Sequence, residues 1–175
     1  AIDLFPRSAY AERGALRLLA RGAGIKRAFF AIDHNVLGYY ISAFQSAVFN
    51  AVVDARALNG TLGTLVEGDV AIKHDNQAVF SVDAAVASDP ATAARLGAFE
   101  ISPSGPMWGG GMKRATGAVD EAELGALLAT GVTVEQIEEF SKKSRNLIAG
   151  ERRPLRVPVV APEVEGGVDE HGPYI

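Results

Sequence analysis

The sequence predicts an α+β domain, in which several helices pack on a small, mainly antiparallel sheet. Three observations carry this expectation. Long segments place apolar residues at helical spacing, short β-prone runs are bounded by turn residues, and the two kinds mix without regular βαβ alternation. With 175 residues the chain is long enough for one domain with a sizeable core and short for two.

Residues 11–21 form the first predicted helix, with Leu16, Leu19 and Ala20 on one side and Arg13, Arg17 and Arg21 on the other. Such an arginine row can touch phosphates, but more often it is a solvated helix face. Gly22 and Gly24 end the helix. Asp33 is placed to N-cap a long helix from about Asn35 to Leu58. Leu37, Tyr40, Ile41, Phe44, Val48, Val52 and Ala55 cover one broad side of it, and Tyr39, Phe49 and Val53 much of the rest. That pattern predicts burial nearly all round. Its polar exceptions, Ser42, Ser46, Asn50 and Asp54, form one i, i+4 stripe, suited to a close backbone approach or to solvent. Asn59-Gly60-Thr61 matches the glycosylation pattern and also reads as an Asn-Gly turn after the helix.

Asp69 to Lys73 and Ala78 to Val82 then read as a hairpin around the turn His74-Asp75-Asn76-Gln77. An Ala-rich helix within residues 84–97 is opened by Ser88, Asp89 and Pro90. Phe99 to Ser102 reads as a strand, and Pro103 to Gly111 as a Pro/Gly-rich loop around Met107 and Trp108. Asp120 to Ala129 is an amphipathic helix with Leu124, Leu127 and Leu128 inward. Thr133 starts another, with Glu135 and Gln136 in its first turn. Arg152 to Val160 reads as a basic strand, whose alternation puts Arg152 and Arg156 opposite Arg153. The chain starts at Ala1 rather than methionine, and Gly172-Pro173-Tyr174-Ile175 reads as the opening of a strand. Both suggest a fragment of a longer polypeptide.

Composition narrows the functional classes. The net charge is −4 and the pI about 5.4, so any nucleic acid must be held by a local patch or by another domain. The absence of cysteine excludes disulfides, thiolate metal sites and a cysteine nucleophile, and is compatible with a cytoplasmic location. The most apolar stretch, Val36 to Leu58, is broken by Gln45, Asn50, Asp54 and Arg56, which argues against a membrane span.

Standard catalytic signatures fail in turn. Gly105 and Gly110 have Walker spacing, but Gly111 stands where lysine is required. Gly109 and Gly111 open a dinucleotide pattern that Arg114 ends. His34, His74 and His171 are far apart and lack metal-ligand spacing, and no serine lies in G-x-S-x-G. Lys73 beside Asp75 could hold a carboxylate ionised as a nucleophile, although a hairpin turn calls for Asp and Asn on backbone grounds alone. Trp108 could stack on a base or, the reading we favour, plug the core beneath its loop. By charge, Arg145, Arg152, Arg153 and Arg156 form the leading RNA candidate, interrupted by Glu151.

Four segments, in order, resemble the TruD family of pseudouridine synthases. Ile41-Ser42-Ala43-Phe44-Gln45-Ser46-Ala47-Val48-Phe49-Asn50 resembles its SAxxSxxFN helix. Glu67-Gly68-Asp69-Val70-Ala71, with Lys73-His74-Asp75-Asn76 and Ala78-Val79-Phe80, resembles its GD…KHD…VF hairpin. Phe99-Glu100-Ile101-Ser102-Pro103-Ser104-Gly105-Pro106-Met107-Trp108-Gly109 resembles its EISPTGPLxG loop, and Gly150-Glu151-Arg152-Arg153-Pro154-Leu155-Arg156-Val157-Pro158 its GxRRPL segment. The resemblance implies an enzyme, monomeric and needing no cofactor or metal, that isomerises a uridine of tRNA, at position thirteen in bacterial members. It implies that this region is a domain inserted into the catalytic domain. Residues 1–33 would lead in, 34–160 would form the inserted RNA-clamping domain, and 161–175 would begin the return.

The family's nucleophilic aspartate lies in a GxKDxxAxTxQ segment that these residues do not contain. Asp75 lacks the surrounding pattern, so the role is not carried onto it and no catalytic residue is assigned. The family's NYFGxQRFG and LPxGxFAT segments are absent too. The target base must leave its stack before chemistry, which calls for a second body to hold the folded RNA. Lys113, Arg114, Arg145, Arg152 and Arg153 are the expected RNA contacts. The alternative is a stand-alone, non-catalytic RNA or protein interaction module.

Overall fold

The computed structural model describes residues 2–144 and 147–174. Among these residues, seven α-helices pack on a four-stranded antiparallel sheet of order β2-β1-β3-β4, and a separate two-stranded hairpin follows. This is the α+β arrangement that the mixed periodicities predict.

Helix α1 (Tyr10–Ala20) lies where its spacing places it, but none of its residues is buried, and Leu19 is 39% exposed. Arg13 of its arginine row turns back to bond the carbonyls of Ile2 (2.9 Å) and Phe5 (2.8 Å), and Arg17 and Arg21 stay solvated. After α2 (Ile25–Phe30), Asp33 caps α3 (His34–Leu58) by accepting from the Asn35 N–H at 2.9 Å.

Burial of α3 is one-sided, which corrects the expectation of burial all round. Leu37, Gln45, Val48, Phe49 and Val52 face inward, whereas Tyr39 is 73% exposed. The stripe through Ser42, Asn50 and Asp54 meets solvent. The length and hydropathy of α3 would suit a bilayer, yet its middle packs on β3, and Gln45 and Arg56 bond internal partners. Asn59 and Gly60, the latter at φ +68°, end the helix as a turn.

The hairpin β1 (Val70–Lys73) and β2 (Val79–Ser81) pairs Val70 with Ser81 and Ile72 with Val79. His74 to Gln77 form its turn, with Gln77 left-handed at φ +60°. The Ala-rich segment is two helices, α4 (Ala84–Ser88) and α5 (Pro90–Gly97), because Asp89 is extended. Asp89 caps α5 through the N–H groups of Ala91 and Thr92, and Pro90 needs no donor in the first turn.

The main departure from expectation is β3 (Ile101–Met107). Pro103 to Met107 continue the strand instead of looping out, and every residue of β3 is buried. Prolines normally exclude a central strand, because each removes a ladder donor. Here pairing to β1 stops at Pro103 and pairing to β4 (Glu151–Pro154) begins at Ser104. Each half of β3 therefore has a neighbour on one side only. The Pro103 carbonyl still accepts from the Leu155 N–H at 2.9 Å. Strand β4 is shorter than expected and ends at Pro154.

Helix α6 (Gly117–Leu128) buries Leu127 fully, but Leu128 is 48% exposed, so that inward assignment is corrected. Helix α7 (Val134–Lys143) opens with the predicted capping box. Thr133 Oγ1 accepts from the Gln136 N–H, and Gln136 Oε1 accepts from the Thr133 N–H. The final hairpin pairs β5 (Gly167–Asp169), which composition does not signal, with β6 (Gly172–Tyr174), whose opening residues read as a strand.

Trp108 is 2% exposed and packs with Val48, Leu127, Ile137 and Ile148, so it plugs the core. Directly after it, two chain segments touch backbone to backbone. A Cβ on Gly109 would fall inside the van der Waals envelope of the Ala149 carbonyl, and one on Gly150 would collide with Gly109. Gly109→Ala is expected to cost about 1–3 kcal/mol, because neither backbone can give way. Gly14→Ala, in a helix with open space around it, is expected to be neutral or to stabilise by about 0.5–1 kcal/mol. Urea unfolding of both variants checks the pair.

Candidate nucleic-acid interface

The four motif segments come together around β3. One face of β3 carries Gly105 and Met107, and α3 approaches it so closely that a Cβ on Gly105 would lie 2.8 Å from Phe49 and Leu155. The other face carries Ser102 and Ser104. His74 Nε2 meets Ser102 Oγ at 2.8 Å, and Ser104 Oγ donates to the Val70 carbonyl at 2.5 Å. Gln45, 8% exposed, donates from Nε2 to the carbonyls of Trp108 (2.8 Å) and Ala149 (3.0 Å) and so ties α3 to both crossing segments. At the far end of α3, Arg56 donates to Asp69 at 2.6 Å and to the carbonyls of Thr61 and Thr64.

Arg152 lies at the centre of the second face. Its Nε donates to Ser104 Oγ (3.0 Å), Nη1 to Glu123 Oε2 (2.7 Å), and Nη2 to Glu123 Oε1 (2.7 Å) and the Ser104 carbonyl (2.6 Å). The two side chains are 1% and 2% exposed. Burial pushes the Glu123 carboxyl above the usual carboxylate range, and Arg152 opposes this in part.

These contacts correct one expected RNA contact. All three nitrogens of Arg152 are occupied inside the protein, so this guanidinium does not face a substrate. Strand alternation does turn Arg153 outward, where its guanidinium lies 5.6 Å from the centre of the Phe49 ring. Arg114 is held by Asp120 (2.9 and 2.5 Å) and lies 5.3 Å from the Trp108 ring centre. Lys113 beside it is exposed. Arg145 lies outside the described residues. Arg114, Arg152 and Arg153 thus have separate partner sets instead of one shared anion site. Arg156 is half-buried, donates to the Leu96 carbonyl and covers the Phe99 ring at 4.4 Å.

Gln45 and Glu123 were not singled out as functional by sequence. A signal for Glu123 existed: it lies one helical turn before Leu127, on the buried face of α6, where a charge requires a partner. Asp75 is exposed at the hairpin turn, consistent with the turn reading. Among the described residues no group of three or more His, Asp or Glu is arranged to hold a metal ion.

Comparison with known proteins agrees with this arrangement. A family model described as "tRNA pseudouridine synthase D (TruD)" matches residues 1–171. The tRNA pseudouridine synthase D of Geobacter sp. (strain M21) is 39% identical over 164 residues, which cover 93% of this chain and 39% of that protein. The protein of the same name from Geobacter sulfurreducens is 38% identical, over 93% of this chain and 38% of its own length. A solved structure assigned as TruD from Methanosarcina mazei superposes with a TM-score of 0.73 at 25% identity, over 97% of this chain and 40% of that one. The chain belongs to the TruD family of tRNA pseudouridine synthases. It spans about two fifths of the length of the relatives it matches.

Arg152→Ala is expected to destabilise the fold by about 3–5 kcal/mol at neutral pH, because it leaves Glu123 buried without a counter-charge. In that variant the folded state holds its Glu123 proton to higher pH than the unfolded chain does. Stability contributed by this group is therefore present at acidic pH and falls as pH rises from about 4.3 through the raised folded value. Adding Glu123→Gln should remove this component of the pH dependence. Chemical denaturation between pH 4 and 8 measures both effects.

Proposed function

We propose that the full-length protein isomerises a uridine in tRNA, at position thirteen, to pseudouridine, and that this region clamps the RNA while the nucleophilic aspartate lies elsewhere in the polypeptide. The observation that carries the reading is the set of four TruD segments assembled into one scaffold, in a chain 39% identical to a named tRNA pseudouridine synthase D. In this reading residues 1–33 lead in from the catalytic domain, 34–160 form the inserted domain and 161–175 begin the return.

The clamp role suits the chemistry available. The motif residues Gln45, Asp69, Ser104 and Arg152 are spent on internal contacts, and none is left as a general acid or nucleophile in a cleft. Of the expected RNA contacts, Arg153, Lys113 and Arg114 remain at the surface. In a domain of net charge −4, such contacts give local affinity with a shallow salt dependence.

The test uses the full-length protein on unmodified tRNA, with pseudouridine read by carbodiimide labelling and primer extension. Wild type should convert a single uridine. Arg153→Ala and Lys113→Ala should each raise KM several-fold with kcat unchanged, and each should reduce the slope of log K against log salt by about 0.7–0.9. No product from the wild-type protein overturns the reading. Unchanged KM and slope in both variants remove these two residues from the interface.

A further inference from the structure

Helix α5 ends in a way that its sequence makes costly. The Ala98 N–H bonds the Ala94 carbonyl, the Phe99 N–H bonds Leu96, and the Glu100 N–H reaches back to Arg95 at 3.0 Å. This is a closure that places one residue in the left-handed region, where glycine is the usual choice. Phe99 occupies that position at φ +56°. A bulky side chain held in a disfavoured backbone conformation points to a use for the side chain.

The surroundings suggest that use. Arg156 covers one face of the Phe99 ring at 4.4 Å. Phe99 also lines a cleft of about 410 Å³ between the β1–β2 turn and the end of α5, together with His74, Asp75, Arg95 and Glu100. Phe99 is half-buried, so part of it remains open to the cleft side. His74 is oriented by Ser102 Oγ through Nε2. Arg95 bonds Glu100 through Nε at 3.2 Å, and its two terminal nitrogens have no partner among the described residues. Asp75 and Glu100 outnumber Arg95, so the cleft is poorly suited to a polyphosphate. An uncharged aromatic ring with N–H groups at its edge fits both the ring face and the carboxylates.

We propose that Phe99 is a stacking platform for one unpaired nucleobase of RNA, seated between the β1–β2 turn and the end of α5, with Asp75 and Glu100 accepting from the edge of the base. The proposal rests on the RNA-binding reading above, but it concerns residues other than Arg153 and Lys113.

The left-handed backbone supplies an unusual test, because Phe99→Gly removes the ring while relieving the backbone. The probe is a fluorescein-labelled single-stranded RNA dodecamer of mixed sequence, titrated onto the full-length protein, with a matched dodecamer of abasic residues as control. Phe99→Gly should keep or raise the melting temperature and weaken binding about five- to 160-fold, the range of one lost stacking contact. The salt slope should not change, since no phosphate contact is lost. Phe99→Trp should bind like wild type, and the abasic dodecamer should bind wild type as weakly as the dodecamer binds Phe99→Gly.

Equal binding by wild type and Phe99→Gly overturns the proposal, as does failure of wild type to bind the dodecamer. If Phe99→Gly unfolds, the wild-type protein decides the matter through the ring resonances of labelled phenylalanine: an upfield shift of Phe99 on adding the dodecamer supports stacking, and no shift rejects it. The two readings separate cleanly. If the full-length wild type and its Phe99→Gly variant modify tRNA equally well and bind the dodecamer equally, the synthase assignment stands and the platform is rejected.

Discussion

The fold depends on a crossing of two backbones with no side chain between them. Gly109 lies against Ala149 and Gly150, and the contact is closed by the Gly110 N–H to the Ile148 carbonyl (3.1 Å) and the Gly150 N–H to the Gly110 carbonyl (3.0 Å). Gln45 then reaches from α3 to a carbonyl on each segment. Three distant parts of the chain are thereby fixed at one point. Next to it Trp108 fills the space under α6 and α7, and β3 enters the sheet from it in the other direction. A buried glutamine is an expensive choice unless its donors are used, and here one amide nitrogen serves two carbonyls that would otherwise be unsatisfied.

From the same crossing, β4 runs directly into the Arg152–Glu123 pair. A buried ion pair adds little net stability compared with an apolar substitute, because both charges must be desolvated. Its contribution is geometric. Four bonds from one planar guanidinium fix α6 relative to β3 and β4 in a single register. By strand alternation that register also fixes Arg153 on the outer face over Phe49. The internal arginine thus orients the external one, and the two adjacent basic residues do unlike work.

Sequence reading succeeded where the signal is local. The Asp33 cap, the Thr133–Gln136 capping box, the His74 turn and the opposite orientation of Arg152 and Arg153 each depend on a few neighbouring residues. It failed where the deciding partner is distant. Pro103 and Pro106 read as a loop because a proline's missing donor is normally fatal in a central strand. Only the exchange of neighbours from β1 to β4 makes them harmless, and no local pattern announces that exchange. The long helix read as buried all round because its composition is apolar; the sheet covers one side of it, leaving Tyr39 and Leu58 in solvent. Likewise Arg152 looked like an RNA contact because a charge in isolation belongs in water. Glu123, 29 residues away, removes that requirement.

This pattern bears on what family motifs can be asked to tell. The segments that identify the chain as a TruD protein are mainly those that must fit each other: glycines at a crossing, a serine under an arginine, an aspartate under Arg56. Their residue types are set by steric and hydrogen-bonding demands inside the domain, so they identify the scaffold with little reference to what its surface touches. Residues that meet an RNA are free of those demands and need only present charge or an aromatic face in the right place. Phe99 differs from both groups. It directly precedes a motif segment and takes one internal contact, from Arg156, while holding a backbone conformation that disfavours a bulky side chain. A residue whose side chain is kept at a cost to its own backbone is where the surface function of such a domain is most legible.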